Sequence, residues 1–140
     1  MYQNILLAYD GSPGAKRALD VALELAHAPG VQVWALAVED HLPRLAATVS
    51  EMEGEKEFSN HYYQHCLSAA FLQALQTGVT LQYEIRVGHA ARTIVDVAKE
   101  RQCDLVILGG SGHSRVWGMF LGTTAEKVSR HVSCSVLLVR

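Results

Sequence analysis

Three glycines and two threonines near the end of this chain are spaced to hold an anion. They fall in the pattern Gly109-x2-Gly112-x9-Gly122-Thr123-Thr124, directly after the apolar run Leu105 to Leu108. An apolar run ending in glycine, a polar loop, and a Gly-Thr-Thr opening an amphipathic segment are the parts of a phosphate-binding site. Glycine lets backbone N–H groups approach an anion closely. A helix N-terminus adds unpaired donors and the favourable end of its dipole. A threonine there offers a hydroxyl as well as its N–H. Either glycine cluster alone could be a tight strand-to-helix turn, but two at this separation could grip one polyphosphate between them.

A second polar turn, Asp10 to Ser12, follows the first apolar run. By position alone, Asp10 is either a helix cap or a ligand group. Two rival nucleotide motifs are excluded by inspection. The chain has no G-x-x-x-x-G-K followed by Ser or Thr, so it is not a P-loop NTPase. A dinucleotide fingerprint would need a glycine at position 115, where Arg115 stands, and would follow the first strand, not the fourth. Arg115 reads equally as a phosphate-steering group and as a solvated loop arginine. His113 and Ser114 are adjacent with no orienting carboxylate in view, which is a poor arrangement for a base and nucleophile. His61 and His65 stand four apart with Cys66 beside them. Without a third ligand they read as a polar helix face, not a metal site.

These groups need a scaffold, and the hydrophobic pattern supplies one. Ile5 to Tyr9 is a short apolar run, read as a buried strand, after which Ser12 can cap a helix with Pro13 at its first position. Ala15, Ala18, Leu19, Ala22, Leu25 and Ala26 repeat at three and four, and Pro29-Gly30 ends that helix. Val31 to Val38 is the second strand, and Glu39 to Gly54 has no regular pattern. Helical period returns near Phe58, with Tyr63, Leu67, Ala70, Phe71, Ala74 and Leu75 on one face until Gly78. Val79 to Val87 is the third strand. Ala91, Ile94, Val95 and Ala98 mark the third helix, and Leu105 to Leu108 the fourth strand. Ala125, Val128 and Val132 mark the last helix, and Ser135 to Val139 the fifth strand. Strands and helices that alternate in this way predict a doubly wound α/β domain, a parallel sheet with helices on both faces. Strands this apolar are expected to be buried on both sides. Open α/β sheets bind ligands at the carboxyl ends of their strands. If strands one and four are neighbours where the strand order reverses, both polar loops line one crevice.

At 140 residues, the chain is expected to form one domain spanning 1–140, and 49% hydrophobic against 19% charged residues argues for a globular fold. A net charge of -2 does not suggest nucleic acid as the partner, since a duplex binder usually carries a basic face. Three widely spaced cysteines, Cys66, Cys103 and Cys134, suggest reduced thiols, and Cys134 reads as a small core residue. Without a basic leader or an apolar stretch of membrane length, the expectation is a soluble cytoplasmic protein with no membrane partner.

The glycine pattern resembles that of the universal stress protein family, in particular its ATP-binding branch. The likeness runs from Ile5 to Ser12 through Gly88, Ile94 and Val95 to the stretches Thr124 to Val128 and Cys134 to Val139. It is weakest between Asp40 and Gly78. His89 and Ser135 stand where relatives often carry proline. The resemblance implies the strand order 3-2-1-4-5. It also implies that Asp10 contacts the ribose or adenine side, that Val38 contacts adenine, and that Gly109, Gly112, Gly122, Thr123 and Thr124 hold the phosphates. The function expected is a stress-response module that binds ATP with Mg²⁺ as a regulatory ligand. Little or no turnover is expected, because no general base or activated nucleophile stands beside the loop. The alternatives are a slow ATPase or adenylyl-transfer enzyme, and a dimeric interaction protein with an empty glycine loop. In the implied strand order, the charge-free stretch Ser135 to Val139 lies at the sheet edge, which calls for a homodimer through the last strand.

Overall fold

The computed structural model describes residues 1–40, 49–110 and 122–140. Its strands are β1 (Asn4–Ala8), β2 (Gln32–Glu39), β3 (Leu81–Val87), β4 (Leu105–Gly109) and β5 (Ser135–Val139). Between them run α1 (Pro13–Leu25), α2 (Val49–Gln76), α3 (Ala90–Glu100) and α4 (Thr123–His131). The strands form one parallel sheet in the order β3-β2-β1-β4-β5, the doubly wound arrangement expected. The order reverses at β1, which has β2 on one side and β4 on the other.

Side chains of a strand alternate between the two faces of its sheet. Ile5 and Leu7 of β1, with Leu105 and Ile107 of β4, meet Ala18, Leu19 and Ala22 of α1 and Leu67, Ala70 and Ala74 of α2. Leu6, Leu36, Val106 and Leu108 point the other way, onto Ile94 and Val97 of α3 and Ala125 and Val128 of α4. Ile5, Leu6 and Leu7 are all fully buried, so β1 forms part of both cores. Burial on both sides does not extend to the edges. Most of β3 and β5 is partly exposed, because each has only one neighbouring strand.

The elements begin and end for local reasons. Ser12 caps α1 as expected: its Oγ accepts the Ala15 N–H at 3.2 Å, and Pro13 is the first helical residue. The helix stops at Leu25, before Pro29-Gly30, as the chain tightens into a turn with the His27 N–H on the Glu24 carbonyl at 3.3 Å. Val79 does not open the third strand. Its N–H caps α2 on the Ala74 carbonyl at 2.9 Å, the Gly78 N–H meets the Leu75 carbonyl at 3.0 Å, and Gly78 has φ +81. That is a Schellman ending, so β3 starts two residues later. Helix α2 begins at Val49, well before the pattern becomes legible at Phe58. Leu75, expected to face the core, is 48% exposed.

Candidate functional site

The reversal of strand order leaves a cleft of about 270 Å³ at the carboxyl ends of β1, β2 and β4. That is close to the ~300 Å³ lower end of ordinary small-molecule sites. The floor comes from Ala8 and Tyr9 after β1, Leu36 and Val38 of β2, and Leu108 and Gly109 of β4. Asp10 and Ser12 line it from the first loop, Ala90 and Ile94 from α3, Tyr63 from α2, and Thr124 and Ala125 from α4. Four residues singled out in the sequence, Asp10, Val38, Gly109 and Thr124, therefore line one cleft. Gly122 and Thr123 immediately precede Thr124. Gly122 is the N-cap of α4, with φ 83 and ψ 149, and no side chain caps that helix start. Gly112, His113, Ser114 and Arg115 lie outside the described residues.

Asp10 is not the helix cap, since Ser12 has that role. Its Oδ1 accepts the Ser12 N–H at 2.9 Å, an Asx turn that fixes the carboxylate on its own loop. Val38 is half-buried in the wall beside α3 and gives the cleft an apolar surface there.

Gly109 also has a packing role that the sequence did not reveal. A Cβ there would overlap the carbonyl group of Gly14 and stand 2.7 Å from the Ala15 nitrogen. A Cβ on Gly14 would in turn overlap the Gly110 carbonyl oxygen. Gly14 and Gly109 thus let the first turn of α1 lie directly against the end of β4. That contact brings the Asp10 loop and the end of β4 to one cleft. Gly14 was missed because its partner lies some ninety residues away along the chain, and no local pattern marks it.

Two tyrosines were missed as well. Tyr9 was read as the end of a buried strand and Tyr63 as a core helix residue, yet both line the cleft. Burial raises the Tyr9 phenol above its ordinary value, with Cys66 and Asp10 adding to the effect. Burial does the same to Tyr63, followed by the charges of Asp10 and Glu39. Both therefore stay neutral at physiological pH and present hydroxyls, not phenolates. A tyrosine on an apolar stripe is the only sequence signal of this, since its ring can pack while its hydroxyl stays polar. His61 and His65 are exposed on α2. Among the described residues, no three His, Cys, Asp or Glu side chains are grouped to hold a metal ion. No helix among them is long and apolar enough to cross a membrane.

A partly apolar cleft has a carboxylate on one loop and an uncapped helix start beside a glycine-tipped strand. The fold and cleft define a doubly wound α/β protein with an open cleft at its switch point. The chain belongs to the universal stress protein family, whose model matches residues 1–140. It is similar to a universal stress protein of Thermus aquaticus, at 35% identity with 100% of both chains covered. It is also similar to the solved structure of the universal stress protein UspA from Lactobacillus plantarum. That match has a TM-score of 0.81 and 27% identity, covering 99% of this chain and 98% of the other. A further similar structure is a universal stress protein in complex with cAMP, with a TM-score of 0.74 and 25% identity, covering 99% of this chain and 97% of that one.

Proposed function

We propose that this chain is a cytoplasmic stress-response module that binds an adenine nucleotide, ATP with Mg²⁺, as a regulatory ligand with little or no turnover. The observation that carries the reading is the convergence of Asp10, Val38 and Thr124 on one cleft. The neighbour crystallised with cAMP supports adenine as the base. Asp10 Oδ2 would accept from the ribose hydroxyls, and Val38 would pack on adenine. The amides of Gly109 and Gly112, with Gly122, Thr123 and Thr124 at the start of α4, would hold the phosphates. The uncapped start of α4 fits that role, because its N–H groups are not taken by a capping side chain. Mg²⁺ would arrive on the phosphates and keep several of its waters. The reading of little or no turnover is supported, among the described residues, by Tyr9 and Tyr63 being held neutral and by Ser12 Oγ being engaged as a helix cap.

The proposed assembly is a homodimer through β5. Denaturing the protein as purified and identifying the released nucleotide by chromatography tests the functional reading. ATP is the expected product. AMP or ADP in its place would favour turnover. No nucleotide, together with no rise in melting temperature on adding ATP·Mg²⁺, would remove the reading, because a ligand bound only to the native state must raise it.

A further inference from the structure

Helix α2 does more than fill the core, because its Tyr62 reaches the loop that carries Asp10. The Tyr62 hydroxyl donates to the Asp10 carbonyl oxygen at 3.1 Å, across 52 positions of sequence. The next residue, Gly11, has φ +79, and a Cβ there would stand 2.6 Å from Cys66 Sγ and 3.2 Å from the Tyr62 oxygen. The loop therefore lies directly on α2, and glycine is what allows it to. Three polar contacts then follow in order. Tyr62 holds the Asp10 carbonyl, the Ser12 N–H holds the Asp10 carboxylate at 2.9 Å, and Ser12 Oγ holds the start of α1 at 3.2 Å. The Tyr62 ring also packs edge-on against Tyr63, with centroids 5.3 Å apart, and Tyr63 lines the cleft. Tyr62 stays a neutral donor: its hydrogen bond with Cys66, then burial, keep the phenol above its ordinary value.

We infer that Tyr62 is a positioning residue for ribose recognition, anchoring the Asp10 loop so that the carboxylate meets the vicinal hydroxyls of a ribonucleotide. This rests on Asp10 being the sugar-binding group proposed above. Tyr62 does not act on the ligand itself, so its effect must pass through Asp10. Y62F deletes the anchoring hydroxyl and keeps the ring, and loss of one such hydrogen bond corresponds to about a threefold to tenfold change in affinity.

The test is a double-mutant cycle by titration calorimetry with Y62F, D10A and the pair, using ATP·Mg²⁺ and 2′,3′-dideoxy-ATP·Mg²⁺. Y62F is expected to weaken ATP by about threefold to tenfold, to leave the dideoxy analogue unchanged, and to add nothing in the D10A background. The ligand-free Y62F protein should melt at the unmutated temperature. Equal losses for both nucleotides, a full Y62F effect on top of D10A, or a marked fall in melting temperature would overturn the inference. Y62F without effect, while D10A weakens ATP, removes Tyr62 alone. D10A without effect removes Asp10 as the sugar ligand, and the role of Tyr62 with it.

Discussion

Gly109 shows how one residue type can answer two demands. Its place in the spaced glycine pattern was legible, as were Thr124 in that pattern and the Asp10 turn after the first strand, whereas Val38 entered only through the family resemblance. The contact of Gly109 with Gly14 was not legible, because chain positions so far apart meet only once the sheet is assembled. The contact makes a prediction that a pure phosphate loop would not. Gly109→Ala should lower the stability of the ligand-free protein by about 1–3 kcal/mol, the usual range for overpacking, since the added carbon overlaps backbone, which cannot rotate away. Urea denaturation without nucleotide is the check, and an unchanged midpoint would mean that the Gly14 contact is not tight. A second residue-scale prediction concerns Cys103. Burial, then the neighbouring Cys134 and Asp104, raises its thiol to about 11 from an ordinary value of 9.0. Above pH 9 the unfolded chain gives up this proton while the folded one keeps it, so the folded state binds more protons and stability falls as pH rises. The loss should run from about pH 9 to about pH 11 and be absent below pH 8. Cys103→Ala should flatten the fall in melting temperature over that window, and a parallel profile would show that other groups, such as the raised tyrosines, account for it all.

Among the elements, α2 marks where sequence reading ended. Strands β1 and β5 and helices α1, α3 and α4 each carry a clear apolar pattern on a small number of turns. The stretch from Val49 to Phe58 shows none, and its sequence is dominated by Glu51, Glu53, Glu55, Lys56 and Glu57. Helix-forming residues keep such a segment helical without an apolar stripe to announce it. Further along, α2 has apolar residues on more than one side, which blurs the assignment of its inner face. Leu67 and Leu75 both fit the inward pattern, yet Leu67 is 0% exposed and Leu75 is 48% exposed. Leu67→Ala should therefore cost about 2–5 kcal/mol, the range for truncating a buried leucine. Leu75→Ala should stay within about 0.5 kcal/mol, as for a surface change. Equal losses in a denaturant series would mean that α2 packs on the sheet in another rotation.

For the whole molecule, the two sheet edges differ in how they are protected. On β3, Glu84 and Arg86 form a charged cluster: Arg101 reaches Glu84 at 2.8 Å, and Arg86 reaches Glu100 at 2.7 Å. Arg101 also lies 3.5 Å over the Trp34 ring, which ties the end of α3 to that side of the sheet. Charged residues of this kind discourage pairing with another strand. On β5, Ser135 to Val139 carries no charge, and Leu137 is 36% exposed. A dimer should therefore form at β5, two copies pairing antiparallel about a two-fold axis. The register shows which residues would make that pairing. The Ser135 N–H donates to the Asp104 carbonyl at 3.4 Å, and the Val139 carbonyl accepts from Gly110 at 2.6 Å. Backbone groups alternate sides along a strand, so Leu137 also faces β4, while Val136 and Leu138 face the open edge. Leu137→Pro should strip a bond from the β4–β5 ladder and leave a carbonyl unpaired, costing about 1–3 kcal/mol of fold stability. Leu138→Pro should keep the ladder, since proline is tolerated where the N–H would face outward on an edge. Its main effect should be to convert dimer to monomer in sedimentation at micromolar concentration. A monomeric unmutated protein would end the proposal. Equal loss of fold in both variants would show that Leu138 is not on an open edge.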